Sequence, residues 1–315
     1  MNALAMAGLA VGAIVVMVVA MAVGYRCVRR VLAEGEQGAG GLRLAGVLPL
    51  ASGLVTGLVL VAAASPWLAA GDRFHTPAGA LLALAGVTGG LVLLLATPAW
   101  VSLVQSFGRS TGATTPSTSE PSRMLRWSVE WIVVALAAIL VMATGTRFGV
   151  LGVRGEGDVA LGAWSGPLTV LWLVAATGVA RLLDGLEGAV NVLLLVAGVA
   201  VAYGTLGAGE PVLNAVALVV VFASLGSLRF NFFPAPLPLR GTGSAVAGFM
   251  FAVLTVMARQ KTVAALLLIF PLAVVVVLVG GVMLGVMERT LLPEGRGGAM
   301  PPDKGSKTNP PRNNP

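Results

Sequence analysis

Charge is scarce in this chain. Only 10% of its 315 residues are Asp, Glu, Lys or Arg, whereas 57% are apolar, and the mean hydropathy is +0.93. A soluble chain of this size cannot bury that much apolar surface, so a water-soluble fold is excluded and a polytopic membrane protein is expected. Cysteine is rarer still. Cys27 stands alone, which excludes an intramolecular disulfide. The Gly24-Tyr25-Arg26 before it is a poor match to a lipoprotein cleavage signal, so Cys27 reads as a juxtamembrane thiol without a role. The single histidine, His75, reads as an ordinary loop residue. No repeat of about 20–50 residues stands out.

What is there is apolar helix. A helix needs about 20 predominantly apolar residues to cross the hydrocarbon core. The pattern gives an all-α polytopic bundle of about nine (8–10) transmembrane helices, at residues 2–24, 44–70, 77–105, 128–146, 160–179, 186–204, 211–228, 244–258 and 262–287. Pro49, Pro66 and Pro98 are expected to kink the second and third spans. The first span has no basic residue before it and no small-residue cleavage site at its end, so it is expected to be a retained helix rather than a signal peptide. The 42 glycines are spread through the spans, as close helix packing in lipid requires.

The formal charge of +7 does not point to nucleic acid, because its distribution follows topology. With alternating spans, fifteen Lys and Arg residues fall on one side and five (Arg73, Arg147, Arg154, Arg259 and Lys261) on the other. The positive-inside rule then places the N-terminus outside and the C-terminus in the cytoplasm of a multi-pass plasma (inner) membrane protein whose basic loops meet anionic lipid headgroups. Residues 1–292 form one membrane domain. Residues 106–122, rich in Ser, Thr and Pro, read as a disordered cytoplasmic linker, and residues 293–315 as a disordered cytoplasmic tail.

Two loop segments on the basic side carry unusual residues. In the first, Arg181, Asp184 and Glu187 are spaced i, i+3, i+6, with Gly185 and Gly188 between and after them. On a helical turn the three charges share about one face and can pair, and the glycines allow close approach of a ligand to the backbone. Two carboxylates at this spacing could hold a divalent cation; an Arg181–Asp184 ion pair at a helix junction is the plainer reading. The second segment runs from Asn231-Phe232-Phe233-Pro234-Ala235 to Arg240-Gly241-Thr242-Gly243-Ser244.

In context, PLTVLWLVAATGVARLLDGLEGAVN from Pro167 resembles the segment of the polyprenyl-phosphate N-acetylhexosamine-1-phosphate transferases (glycosyltransferase family 4) that ends in N-x-x-N-x-x-D-G-x-D-G. LRFNFFPAPLPLRGTGSAVAGF, from Leu228 to Phe249, resembles their N-x-P-P-A-(x)5-G-D-x-G-S stretch. The likeness covers roughly residues 128–256, in the same order. It implies a protein that binds a UDP-amino sugar and undecaprenyl phosphate at the cytoplasmic face, transfers sugar-1-phosphate with Mg2+ assistance and releases UMP in cell-envelope glycan synthesis. A metal suits that chemistry because it offsets charge as two phosphate-bearing substrates meet.

The departures from the pattern bear on activity. The two asparagines fall on Gly178 and Arg181, the first Asp is kept as Asp184, and the second becomes Glu187. The Gly-Asp pair becomes Arg240-Gly241, so the family's metal-binding Asp position is Gly241. Residues 99–115 hold no acid where a paired Asp-Asp is expected, and the late His-containing loop has no counterpart. The resemblance therefore implies a pseudoenzyme with no metal or other cofactor. It would bind lipid phosphate, nucleotide or a protein partner (an envelope-synthesis protein or a second copy) through Arg181, Arg240, Gly185, Gly188, Asn231, Thr242, Gly243 and Ser244. An active transferase using Asp184 and Glu187 as its only acids, with Mg2+, is the alternative, and a small-solute transporter is a third reading. An alkaline phosphatase reporter inserted between residues 147 and 159 is expected to be active and one inserted between 106 and 119 inactive; the reverse pattern would invert the topology.

Overall fold

Apolar runs fold into helices in lipid because a backbone in hydrocarbon must satisfy its own polar groups. A computed structural model of the protein describes residues 3–34, 39–68, 77–101, 120–148, 150–152, 158–183, 188–206, 208–232, 235–239 and 241–258. Within them lie eight helices: α1 (Ala3–Glu34), α2 (Ala39–Leu68), α3 (Pro77–Leu95), α4 (Glu120–Ala143), α5 (Ser165–Leu182), α6 (Ala189–Thr205), α7 (Pro211–Asn231) and α8 (Thr242–Met257). Each answers to one of the first eight expected spans; the ninth, residues 262–287, lies outside the described residues, as does the tail. Five are long and apolar enough to cross a membrane, and α6 and α8 are shorter apolar helices. The protein is an all-α polytopic membrane bundle.

Three details differ from the sequence reading. First, α4 begins at Glu120, inside the expected linker. Pro121 does not prevent this, because first-turn N–H groups have no intrahelical acceptor to lose. Residues 106–119 lie outside the described residues. Second, α2 continues through both Pro49 and Pro66, whereas the chain turns at Ala96 and is helical again over 97–101, around Pro98. Proline cannot bond the carbonyl four residues back. At Pro66 that carbonyl, Ala62 O, accepts from Ser65 Oγ at 2.8 Å; at Pro98 it is Leu94 O, which accepts from Thr97 Oγ1 at 2.6 Å. Third, the connection between α4 and α5 contains an antiparallel hairpin, β1 (Val150–Gly152) with β2 (Asp158–Ala160), pairing Leu151 with Val159.

The core is built around α8. Every residue from Gly243 to Met257 is buried, and α2, α3, α5 and α6 all pack on this helix. Small residues set the approach of α5, since a Cβ on Gly248 would collide with that of Ala180 and lie 3.2 Å from Ala176 O. Further along the same contact, Trp172 Nε1 donates to Thr255 Oγ1 at 2.8 Å, so α5 and α8 run antiparallel. Gly90 of α3 leaves room for the Phe249 ring, 3.0 Å from where its Cβ would stand. At the α5 end nearest the hairpin, Phe148 N–H donates to Thr169 Oγ1 at 3.0 Å, and the Phe148 and Trp172 rings meet edge to face, 6.4 Å between centroids.

A second layer joins α1, α2 and α7. Gly53 and Gly57 of α2 face Ala223 and Val219, while Gly226 of α7 faces Ala20 and Met17. Cys27, Ala45 and Leu237 form a small apolar cluster with Phe230, and Gly46 lies directly under the Pro238 carbonyl. In this way α1 and α2 seat the chain that follows α7. Burial there holds the Cys27 thiol above its ordinary range, with Arg30 acting in the opposite direction. Antiparallel α6 and α7 are pinned by asparagines at both ends: Asn214 Nδ2 donates to Ala202 O and Thr205 Oγ1, and Asn191 Nδ2 to Ser227 Oγ and Ser224 O.

Gly248→Val is expected to destabilise the bundle by about 1–3 kcal/mol through overpacking against backbone that cannot rotate away. Thermal unfolding in detergent checks this, with Gly8→Val, at a position with open space around it, as the neutral control.

Candidate functional site

The first segment ends α5 and begins α6; the second ends α7 and begins α8. All four termini lie at one end of the bundle, because α5 and α8 are antiparallel and α6 and α7 are antiparallel. The segments meet at Gly188. Its φ of +80° is a left-handed value that glycine adopts without penalty, and it lets the chain enter α6. A Cβ on Gly188 would stand 3.3 Å from Asn231 O and 3.6 Å from Phe232 Cα, so the first segment's end rests on the second segment's start.

The structure treats the expected site residues unequally. Asp184, Gly185, Glu187 and Arg240 lie outside the described residues, and with them the expected approach of Asp184 to Arg240. Gly188 and Asn231 are buried, and Asn231 has no exposed surface. Gly241 has φ +65°, Thr242 and Gly243 follow in the first turn of α8, and no side chain caps that helix. The Ser244 hydroxyl is already committed, donating to Gly241 O at 2.9 Å. The first-turn amides of α8 have no acceptor within that helix.

Arg181 has a partner that the sequence reading did not name. That reading offered Asp184 or Glu187 as its counter-charge. In the structure its Nη1 donates to Glu130 Oε2 of α4 at 2.8 Å, with each side chain 16% exposed. Arg126 Nε donates to the other Glu130 oxygen at 3.1 Å. The Arg181 guanidinium also stacks over the Trp131 ring, 5.6 Å from its centroid, a favourable placement for a cation. One turn back, Gly178 makes room for the same indole, which would stand 2.9 Å from a Cβ there. The two positions at which the family pattern carries asparagine are therefore both contacts with α4. One signal in the sequence could have found the partner: Glu130 is the sole acid within the expected fourth span, and a lone carboxylate in an apolar run demands a counter-charge.

Among the described residues no three His, Cys, Asp or Glu side chains come together to hold a metal ion: both Glu130 oxygens are taken by guanidinium groups, and Asp184 and Glu187 lie outside the described residues.

The comparisons with known proteins bear on the same segments. Residues 120–259 match the model of the family described as glycosyl transferase family 4. The chain is 28% identical over 164 residues to the probable undecaprenyl-phosphate N-acetylglucosaminyl 1-phosphate transferase of Bacillus subtilis (strain 168), covering 52% of this chain and 46% of that protein. It is 36% identical over 137 residues to the phospho-N-acetylmuramoyl-pentapeptide-transferase of Moorella thermoacetica, covering 42% and 41%. With the protein of that name from Staphylococcus haemolyticus it shares 32% over 92 residues, 29% of each chain. The chain spans less than half the length of each of these relatives. Over the matched residues it is similar to these sugar-1-phosphate transferases.

Glu130→Ala is expected to cost about 1–3 kcal/mol, because it leaves a largely buried guanidinium without its acceptor. Arg126→Ala, at a side chain 48% exposed, should cost under about 1 kcal/mol. Thermal unfolding of the single variants and of Glu130→Ala/Arg181→Ala checks both, and a double variant no less stable than Glu130→Ala alone confirms the pair.

Proposed function

We propose that this protein is a plasma-membrane homologue of the transferases that act on UDP-amino sugars and polyprenyl phosphate, and that it binds a lipid phosphate in envelope glycan synthesis without turning it over. The observation that carries the reading is the joint fate of positions 178 and 181. Both have become helix contacts, a slot for Trp131 and an ion pair with Glu130, so these two positions are spent on packing α4 against α5. The sequence adds that Gly241 stands at the metal position and that residues 99–115 hold no acid.

A phosphate could still be held at the second segment. The uncapped start of α8 presents backbone N–H groups at the positive end of a helix dipole, and Arg240 immediately precedes it. A guanidinium holds phosphate oxygens bidentately and supplies charge neutralisation without a metal. Arg181 is assigned to the structural network, and Arg240 to the headgroup. The ligand class is a polyprenyl phosphate, with a nucleotide diphospho-sugar as competitor.

Two measurements test this. Purified protein with UDP-N-acetyl sugars, undecaprenyl phosphate and Mg2+ should release no UMP above background; release that disappears in Asp184→Asn would establish an active transferase instead. With EDTA present, wild type should bind undecaprenyl phosphate, and Arg240→Gly should weaken binding about tenfold or more, the loss of one charged hydrogen-bonding contact. Equal or undetectable binding in both proteins rejects the lipid-phosphate assignment.

A further inference from the structure

The outward side of α1 changes character along its length. Val11, Ile14, Val18 and Met21 are all exposed, and their spacing of three and four residues keeps them on one face of the helix. Tyr25, 63% exposed, continues that face, and Arg29, exposed four residues further on, ends it. Arg26 and Arg30 are exposed beside Arg29, so three guanidinium groups stand within about one turn. On the other side of that turn Cys27 packs with Ala45 and Leu237, which seats α1 against the bundle.

The helix is long enough to carry this turn out of the hydrocarbon. It runs for 32 residues, about 48 Å at 1.5 Å per residue, whereas the hydrocarbon core is about 30 Å thick. An apolar stripe followed by an exposed tyrosine and then by arginine is the order expected where a helix passes from acyl chains to headgroups. Parallel α7 ends at the same level, since Gly226 faces Ala20 and the Phe230 ring lies over Gly24. Arg229, exposed on α7, adds a fourth positive charge at this depth. Counter-charge along α1 is scarce: residues 1–33 contain no Asp or Glu. Glu34 is four residues from Arg30 and can pair with it along the helix, but Arg26 and Arg29 have no carboxylate three or four residues away on either side. Guanidinium groups in that position hold phosphate oxygens bidentately. A headgroup with net negative charge suits them better than a zwitterionic one, which brings its own cation.

We propose that Arg26, Arg29 and Arg30 of α1 form a docking site for an anionic phospholipid of the leaflet at the site end of the bundle. The acyl chains lie along Val18 and Met21, and the headgroup phosphate sits on the guanidinium groups one turn beyond Tyr25. This inference does not depend on the protein's activity.

The test uses the full chain. In nanodiscs, phenylglyoxal labels accessible arginines, and peptide mass mapping reads each one. Labelling of Arg26 and Arg29 should slow when phosphatidylglycerol replaces part of the phosphatidylcholine, while Arg126, already paired with Glu130, changes little. Equal labelling in both bilayers overturns the proposal, and so does equal protection by inorganic phosphate in phosphatidylcholine alone, which would make the site a reader of free phosphate rather than of lipid. Native mass spectrometry of detergent-solubilised protein then measures the preference for phosphatidylglycerol over phosphatidylcholine of the same acyl chains. Arg26→Gln/Arg29→Gln should cut that preference about 25-fold, about fivefold for each basic residue removed. Arg126→Gln/Arg147→Gln, which removes the same charge elsewhere, should leave it unchanged. Equal loss in the two double variants shows a response to net charge alone and rejects the site. Should the α1 variant fail to fold, the wild-type labelling decides.

Discussion

The close contact between α5 and α8 at Gly248 is the constraint on which the rest of the bundle depends. In lipid, helices gain little from hiding apolar surface, so association rests on van der Waals packing and on a few interhelical hydrogen bonds. Gly248 against Ala176 and Ala180 supplies the first, and Trp172 to Thr255 the second. With α5 held this close, α8 is enclosed along its whole length and presents surfaces to α2, α3 and α6. The same contact fixes where the two signature segments meet, since one leaves α5 and the other enters α8.

The site end of the bundle has two halves. On the α4–α5 side, Gly178, Arg181, Trp131 and Glu130 form a single packing unit in which a charge is neutralised by a neighbouring helix. On the α8 side, Gly241 has a left-handed φ and no side chain caps the helix that follows. A fixed guanidinium paired with a carboxylate stabilises without adapting, whereas the first-turn amides of a helix have no acceptor within the helix itself. That contrast is what motivates the proposal of binding without turnover.

Much of the fold was legible because bilayer thickness dictates helix length, and composition alone then locates the helices. The hairpin at 150–160 was not legible: six strand residues in a connector carry no periodicity long enough to register. Nor was the start of α4 at Glu120, because Ser, Thr and Pro favour both linkers and first helical turns. That a hydroxyl just before Pro66 and Pro98 answers the carbonyl each proline leaves unbonded is a detail below the resolution of a hydropathy profile. Within the site, Arg181 was legible as a charge needing a partner, but Glu130 lies 51 residues away along the chain, and spacing rules reach only one or two turns.

The sequence by itself determined that the protein is a helical membrane bundle, which two segments carry its distinguishing residues, and which acids of the related transferases it lacks at those positions. These follow from composition and local pattern, which need no knowledge of how helices pack. Only the tertiary structure decided that α8 is the enclosed helix, that Arg181 answers to Glu130 and Trp131, and that Asn191 of α6 bonds Ser224 and Ser227 of α7. Each of these is a pairing between residues distant in the chain, and such pairings are set by which small residues let two backbones approach.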